Sequence, residues 1–307
     1  KSIYGLRSAP RAWQRTLSAW LREQGFVSSV SDDSVFRHPD TGVLVLLYVD
    51  DLLIIACRKH GQVFLDNLRA KFKCQRPFCL RDATSDDPLV FLAHDLWMDK
   101  GQLYISQVPY VVALLEKFGH LAPNPVRSLK PEKFEFATLN EGGKLSKERH
   151  SVFRSVIGAL MFLVLCTRPD FIVPVSLLAE GQAGPCEGHW NAMVHTLAYL
   201  RAVPAYAFVI PLVCPSKVIN VRAQFDANYA AERARSGVFL FLALALVYWL
   251  SRRQKLICLS TTEAELVAGA LACKELCGFC QFLKGLFPDY DFKASLEGDN
   301  NACNLMI

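Results

Sequence analysis

Charge is scarce in this sequence, and no single sign of it dominates. Charged residues make up 21% against 52% hydrophobic ones, a balance that excludes a disordered chain and allows a sizeable buried core. The net charge of +5 is mild and gives only weak support for a nucleic-acid partner. Apolar runs are short. Val238 to Leu250 and Val156 to Cys166 each fall below the ~18 residues of a membrane-spanning helix, so no membrane partner is expected. The opening KSIYGLRSAPRAW has no apolar leader core, internal repeats are absent, and so are low-complexity tracts. The seven histidines show neither metal-ligand spacing nor a nucleophile partner. The 11 cysteines follow no repeating spacing, which favours reduced thiols in a cytoplasmic or nuclear setting. Cys273, Cys277 and Cys280 fall at helical spacing and predict a buried helix face rather than a zinc or redox motif.

What is present reads as about two domains, on a soft prior of ~150 residues each. A helix is expected over 9–25, with Pro10 in its first turn, Trp13, Leu17, Trp20 and Leu21 on one face, and Gly25 at its end. A hairpin follows, with apolar runs 43–49 and 52–56 interrupted by Asp50-Asp51. Residues 64–72 read as a helix, 91–97 and 101–105 as a second hairpin, and 110–118 as another helix. From 119 to 149 the proline- and glycine-marked sequence predicts an open linker. Helices at 150–166 and 187–201 come next, then strands at 218–225 and 236–250, a helix over 262–286 and a strand at 293–298. Strands, then helix, then strand fit a small α/β domain.

Two constellations of acids carry the chemistry. Tyr48-Val49-Asp50-Asp51 puts adjacent acids inside apolar sequence, a costly placement that a divalent cation compensates. A tight turn would let both approach one site, although the tetrapeptide alone fits a solvated Asp-Asp turn equally well. The second set is Asp226, Glu265 and Asp299, expected on a strand, a helix and a strand end. Each taken singly has an ordinary surface explanation. Glu263 falls on a different helix face from Glu265.

The flanks decide between these readings. SIYGLRSAPRAW at 2–13 resembles the SLYGLKQAPRAW segment of copia-type reverse transcriptases, where it precedes a YVDD hairpin. Phe91-Leu92, Ile105-Ser106-Gln107 with Tyr110, LLEKF at 114–118, IGALMFL at 157–163 and TRPD at 167–170 resemble later blocks of that family in the same order. Gln224 to Tyr229, Ser236-Gly237, Tyr248 to Gln254, Leu259 to Leu266 and Gly298-Asp299-Asn300 resemble the blocks of its ribonuclease H. Asn228 and Tyr229 depart from the family's acid and tryptophan there.

The resemblance implies an α/β (α+β) chain of three parts. These are a partial reverse transcriptase with palm and thumb-like elements over 1–125, a linker and helical connection over 126–215, and a ribonuclease H-like domain over 216–307. It implies that Asp50 and Asp51 are polymerase metal ligands and catalytic residues, and that Asp226, Glu265 and Asp299 play those parts in the ribonuclease H. Arg7 and Arg11 are then placed near template or nucleotide phosphates, although surface helix-cap arginines fit the two positions equally well, and Gln107 in a turn. The implied cofactor is Mg2+ or Mn2+, and the implied partners are RNA, DNA, RNA–DNA hybrid and dNTPs, in a virus-like particle or the nucleus. The family's further palm aspartate and its fourth ribonuclease H acid fall outside this sequence, so the stretch alone is expected to be inactive. A decayed copy that keeps nucleic-acid binding, or a protein-interaction scaffold, is the competing expectation.

Overall fold

The computed structural model describes residues 9–212, 216–229 and 234–299. Contacts divide the chain into two compact units, one made of 1–79 with 277–292 and the other of 80–276 with 293–307. Both combine helices with strands, as the expected α/β class requires.

The first unit opens with helix α1 (Ala9–Glu23), whose buried face is Leu17, Trp20 and Leu21. Gly25, at φ +87°, supplies the left-handed residue that ends it. Strands β1 (Val27–Ser28), β2 (Val35–Arg37), β3 (Leu44–Tyr48) and β4 (Asp51–Ile55) form an antiparallel sheet in that order. Helix α2 (Arg58–Lys71) follows. Side chains alternate across a strand, so Val45 and Leu47 join Leu17, Trp20, Leu21, Phe36, Phe64 and Leu68 in one core. Leu44, Leu46 and Val35 point the other way, onto Phe282, Leu286 and Phe287. A sheet buried on both faces needs apolar residues at every position, which is why 43–47 reads as an unbroken run.

The second unit holds an antiparallel sheet of β5 (Leu89–Phe91), β6 (His94–Asp99), β7 (Gln102–Ser106) and, much later in the chain, β8 (Ala207–Pro211). Helices α3 (Val108–Phe118), α4 (Phe136–Leu139), α5 (Lys147–Cys166), α6 (Ile172–Glu180) and α7 (Glu187–Ala202) surround one core, centred on Phe153, Ile157, Leu163, Leu178, Met193 and Leu197. The segment 119–149 is not an open linker. Phe134 and Leu139 are buried in that core, Val126 N–H donates to Ala198 O (3.1 Å), and Lys144 bridges to Cys186. Prolines and glycines there punctuate short helical turns, while the apolar residues between them supply the anchors. Helix α6 starts after the turn at Pro169–Phe171 and tolerates Pro174 because first-turn N–H groups need no helical partner.

The remaining sheet runs β11 (Ala245–Arg253), β10 (Arg235–Leu242), β9 (Val218–Asn228), β12 (Asp291–Gly298), with helix α8 (Thr261–Leu286) joining β11 to β12. The stretch 236–250, expected as one strand, is a hairpin that turns at Ala243-Leu244, with Ala243 at φ 52°. An apolar turn without Gly or Asn leaves no mark in the sequence.

Cys273 and Cys277 are exposed and Cys280 is half-buried, so the expected buried thiol face is wrong. Ala264, Ala268, Ala272 and Leu276 form the buried stripe of α8, and each of the first two thiols follows a stripe residue by one position, about 100° around the helix. Helices α5 and α8 are long and apolar enough to cross a membrane by length and composition alone. This corrects the reading from Val156 to Cys166, because α5 starts at Lys147. Its Phe153, Val156, Ile157, Leu160 and Leu163 are buried in the core of the second unit.

Candidate metal centre

The hairpin β3–β4 turns through Val49 and Asp50, with Tyr48 opposite Asp51. Val49 sits at φ 51°, a left-handed conformation that costs a β-branched residue ~1–3 kcal/mol. Trp13 holds it there by donating its Nε1–H to Val49 O at 2.9 Å, and the indole packs edge-on against Phe72 at 5.3 Å. Asp50 and Asp51 are therefore neighbours at an exposed, tightly turned tip. Arg11 is exposed in the first turn of α1, and Arg7 lies outside the described residues. Gln107 sits at the junction of β7 and α3, as the N-cap residue of that helix. It is 1% exposed and its Oε1 accepts from the Thr167 hydroxyl at 2.7 Å.

The second constellation does converge. One oxygen from each of Asp226, Glu265 and Asp299 lies within 4.8 Å of the others, the one group of three or more such ligands among the described residues. β9 carries Asp226, α8 carries Glu265 in its second turn, and Asp299 follows the end of β12. Closeness of the two strands is built in at Gly298, where a Cβ would lie 2.4 Å from the Phe225 ring. The start of α8 is fixed by Gln254, a residue given no role in advance. Its buried amide donates to Ser236 Oγ (2.9 Å) and Ala264 O (2.8 Å), and its Oε1 accepts from the Cys258 thiol (3.0 Å).

Glu263 and Glu265 have separate tasks. Glu263 accepts from Leu259 N–H (2.6 Å) while its own N–H donates to Ser260 Oγ (3.1 Å), a reciprocal cap on α8. Glu265 is 6% exposed. Its Oε1 accepts from Ala227 N–H (3.2 Å), whereas Oε2 is buried with no hydrogen-bond partner. Burial raises the Glu265 pKa above the usual carboxylate range. The Ala227 N–H opposes the shift, and Asp226 and Asp299 add to it.

A buried oxygen without a donor, beside two more carboxylates, is a donor set for a hard divalent cation. Oxygens sharing one Mg2+ are at most about 4.2 Å apart, given ~2.1 Å bonds, so small side-chain rotations close the site. Asn228, two residues beyond Asp226, stands exposed opposite Arg235 and brings no charge.

Residues 1–129 match the family model described as reverse transcriptase (RNA-dependent DNA polymerase). The chain is 30% identical over 296 residues to the Retrovirus-related Pol polyprotein from transposon RE2 of Arabidopsis thaliana, covering 93% of this chain and 19% of that protein. The chain belongs to the copia-type retrotransposon Pol family. A second relative in the family, the Pol polyprotein from transposon TNT 1-94 of Nicotiana tabacum, is 29% identical over 297 residues. That match covers 93% of this chain and 22% of the polyprotein. The chain thus spans about a fifth of these Pol polyproteins. Among solved structures, that of a foamy viral protease-reverse transcriptase in complex with double-stranded DNA aligns at TM-score 0.47 and 9% identity, covering 95% of this chain and 49% of that one.

Proposed function

We propose that this chain is the reverse transcriptase–ribonuclease H portion of a copia-type Pol polyprotein, acting on RNA–DNA hybrid. The convergence of Asp226, Glu265 and Asp299 from three separate elements carries the reading. Two magnesium or manganese ions held there would activate water and stabilise the leaving oxygen in hydrolysis of the RNA strand.

The protein's part is to aim the ligands. Ala227 N–H points Glu265 into the site, the Gln254 anchors fix the start of α8, and the Gly298–Phe225 contact sets the distance between strands. Asp50 and Asp51 belong in this reading to the polymerase, at a hairpin tip where a primer end, a dNTP and metal ions can approach. Arg11 lies on the helix packed beneath that hairpin and offers a guanidinium suited to phosphate.

The test is magnesium-dependent cleavage of an RNA–DNA hybrid by the full chain, with Asp226→Asn as control. Cleavage by the wild type alone supports the reading and overturns the expectation that the stretch is inactive by itself, and equal cleavage by the variant overturns the reading. Hybrid affinity without cleavage by either protein is the outcome of the decayed-copy alternative.

A further inference from the structure

We propose that Cys277 and Cys280 form a dithiol that an oxidant of the hydroperoxide class closes into a disulfide within one turn of α8. The pair belongs to neither carboxylate set, and its exposure contradicts the buried face that the sequence predicts. Cys277 is exposed and Cys280 half-buried, both inside the helix. Three residues along an α-helix separate Cα atoms by about 5.0 Å, from a rise of ~4.5 Å and a turn of ~300° at a radius of ~2.3 Å. That distance falls inside the ~4.4–6.8 Å range of disulfides, whereas the Cβ atoms start about 5–6 Å apart against the ~3.5–4.5 Å of a disulfide, so closure draws the turn in. Gly278 lies between them, a weak helix former at which the turn can yield as the two sulfurs approach.

The two thiols are unequal. Burial and the neighbouring Cys277 raise the Cys280 pKa. Cys277, the more exposed of the two, is the attacking thiol and Cys280 the resolving one. The Cys277 thiolate attacks one peroxide oxygen, the O–O bond breaks, and the departing hydroxide takes up a proton as water. This leaves a sulfenic acid on Cys277. Cys280 gives up its proton and its sulfur attacks the Cys277 sulfur. The S–O bond breaks, and a second water departs as the S–S bond forms. Two thiols lose two electrons and two protons, and the peroxide accepts both pairs.

The experiment treats the full chain with hydrogen peroxide, blocks remaining thiols by alkylation, and maps peptides by mass spectrometry. The expected product is a Cys277–Cys280 link, lighter by two hydrogens and reversed by dithiothreitol. It persists in Cys273→Ser and is lost in both Cys277→Ser and Cys280→Ser. A preferred link through Cys273, or through Cys74 and Cys79, overturns the proposal. So does recovery of Cys277 and Cys280 as free alkylated thiols after peroxide treatment.

Discussion

In the proposed metal centre, Glu265 is where folding and cation binding pull in opposite directions. Its folded pKa lies above the unfolded one, so its contribution to stability is fully present below the ordinary glutamate range and is lost as pH rises through the folded value. Once ionised, the group is an unfavourable buried charge in the metal-free fold. Glu265→Gln should therefore raise the melting temperature in EDTA and abolish the stabilisation that Mg2+ gives the wild type. Thermal scans with and without the ion read both signs, and a shift of the same sign in both conditions contradicts the assignment. Arg168 shows the opposite balance, a buried charge fully served by its neighbours. At 2% exposure it pairs with Asp170 through Nε and Nη2 (2.9 and 2.8 Å), donates to Val203 O (3.1 Å) and stacks over Phe171. Arg168→Met should cost about 3 kcal/mol in urea unfolding, the low end for a broken buried pair, because Asp170 can rehydrate. A loss within about 0.5 kcal/mol would show that the network contributes little.

The tight hairpin depends on a helix that precedes it. Trp13 reaches from α1 to Val49 O, so Trp13→Phe keeps most of the packing and removes the one donor at the strained residue. Faster amide exchange in the β3–β4 hairpin, with the α2 amides unchanged, is the expected outcome of a hydrogen-exchange comparison. Uniform acceleration would mean that the substitution loosens the whole unit instead. Helix α7 carries a pH dependence of its own. Burial lowers the His189 pKa, and its Nδ1 lies 3.1 Å from Cys186 Sγ. A depressed histidine contributes stability that is present above its unfolded pKa near 6.5 and lost as pH falls through the folded one. Melting temperature should drop on acidification below pH 6.5, and His189→Gln should flatten that slope. A slope unchanged in the variant would assign the acid sensitivity elsewhere.

The same element view shows what periodicity could and could not convey. Helices α1, α3 and α8 and the Asp50-Asp51 hairpin were legible because spacing and breakers agree there. The Ala243-Leu244 turn was not, since an apolar turn looks like more strand. The packed segment 119–149 reads as a linker because its prolines and glycines outweigh Phe134 and Leu139, whose burial shows only in the fold. The acids of the proposed metal centre are legible through family motifs, whereas the buried, donor-less Oε2 of Glu265 exists only once α8 docks beside β9.

At the scale of the whole molecule, sequence order and spatial grouping part company. Residues 277–292 complete the unit that begins the chain, and β8 completes a sheet started a hundred residues earlier. Expected boundaries at 125 and 215 follow motif order, which contains no information about such returns. The hairpin acids lie in one unit and the converging trio in the other, so the two can be tested separately. Titration of the full chain with Mn2+, followed by electron paramagnetic resonance of the free ion, addresses the trio most directly. One saturable class of site should be lost in Asp226→Asn and in Glu265→Gln but retained when Asp50 and Asp51 are both changed to Asn. Equal Mn2+ uptake by wild type and Glu265→Gln would contradict the metal centre.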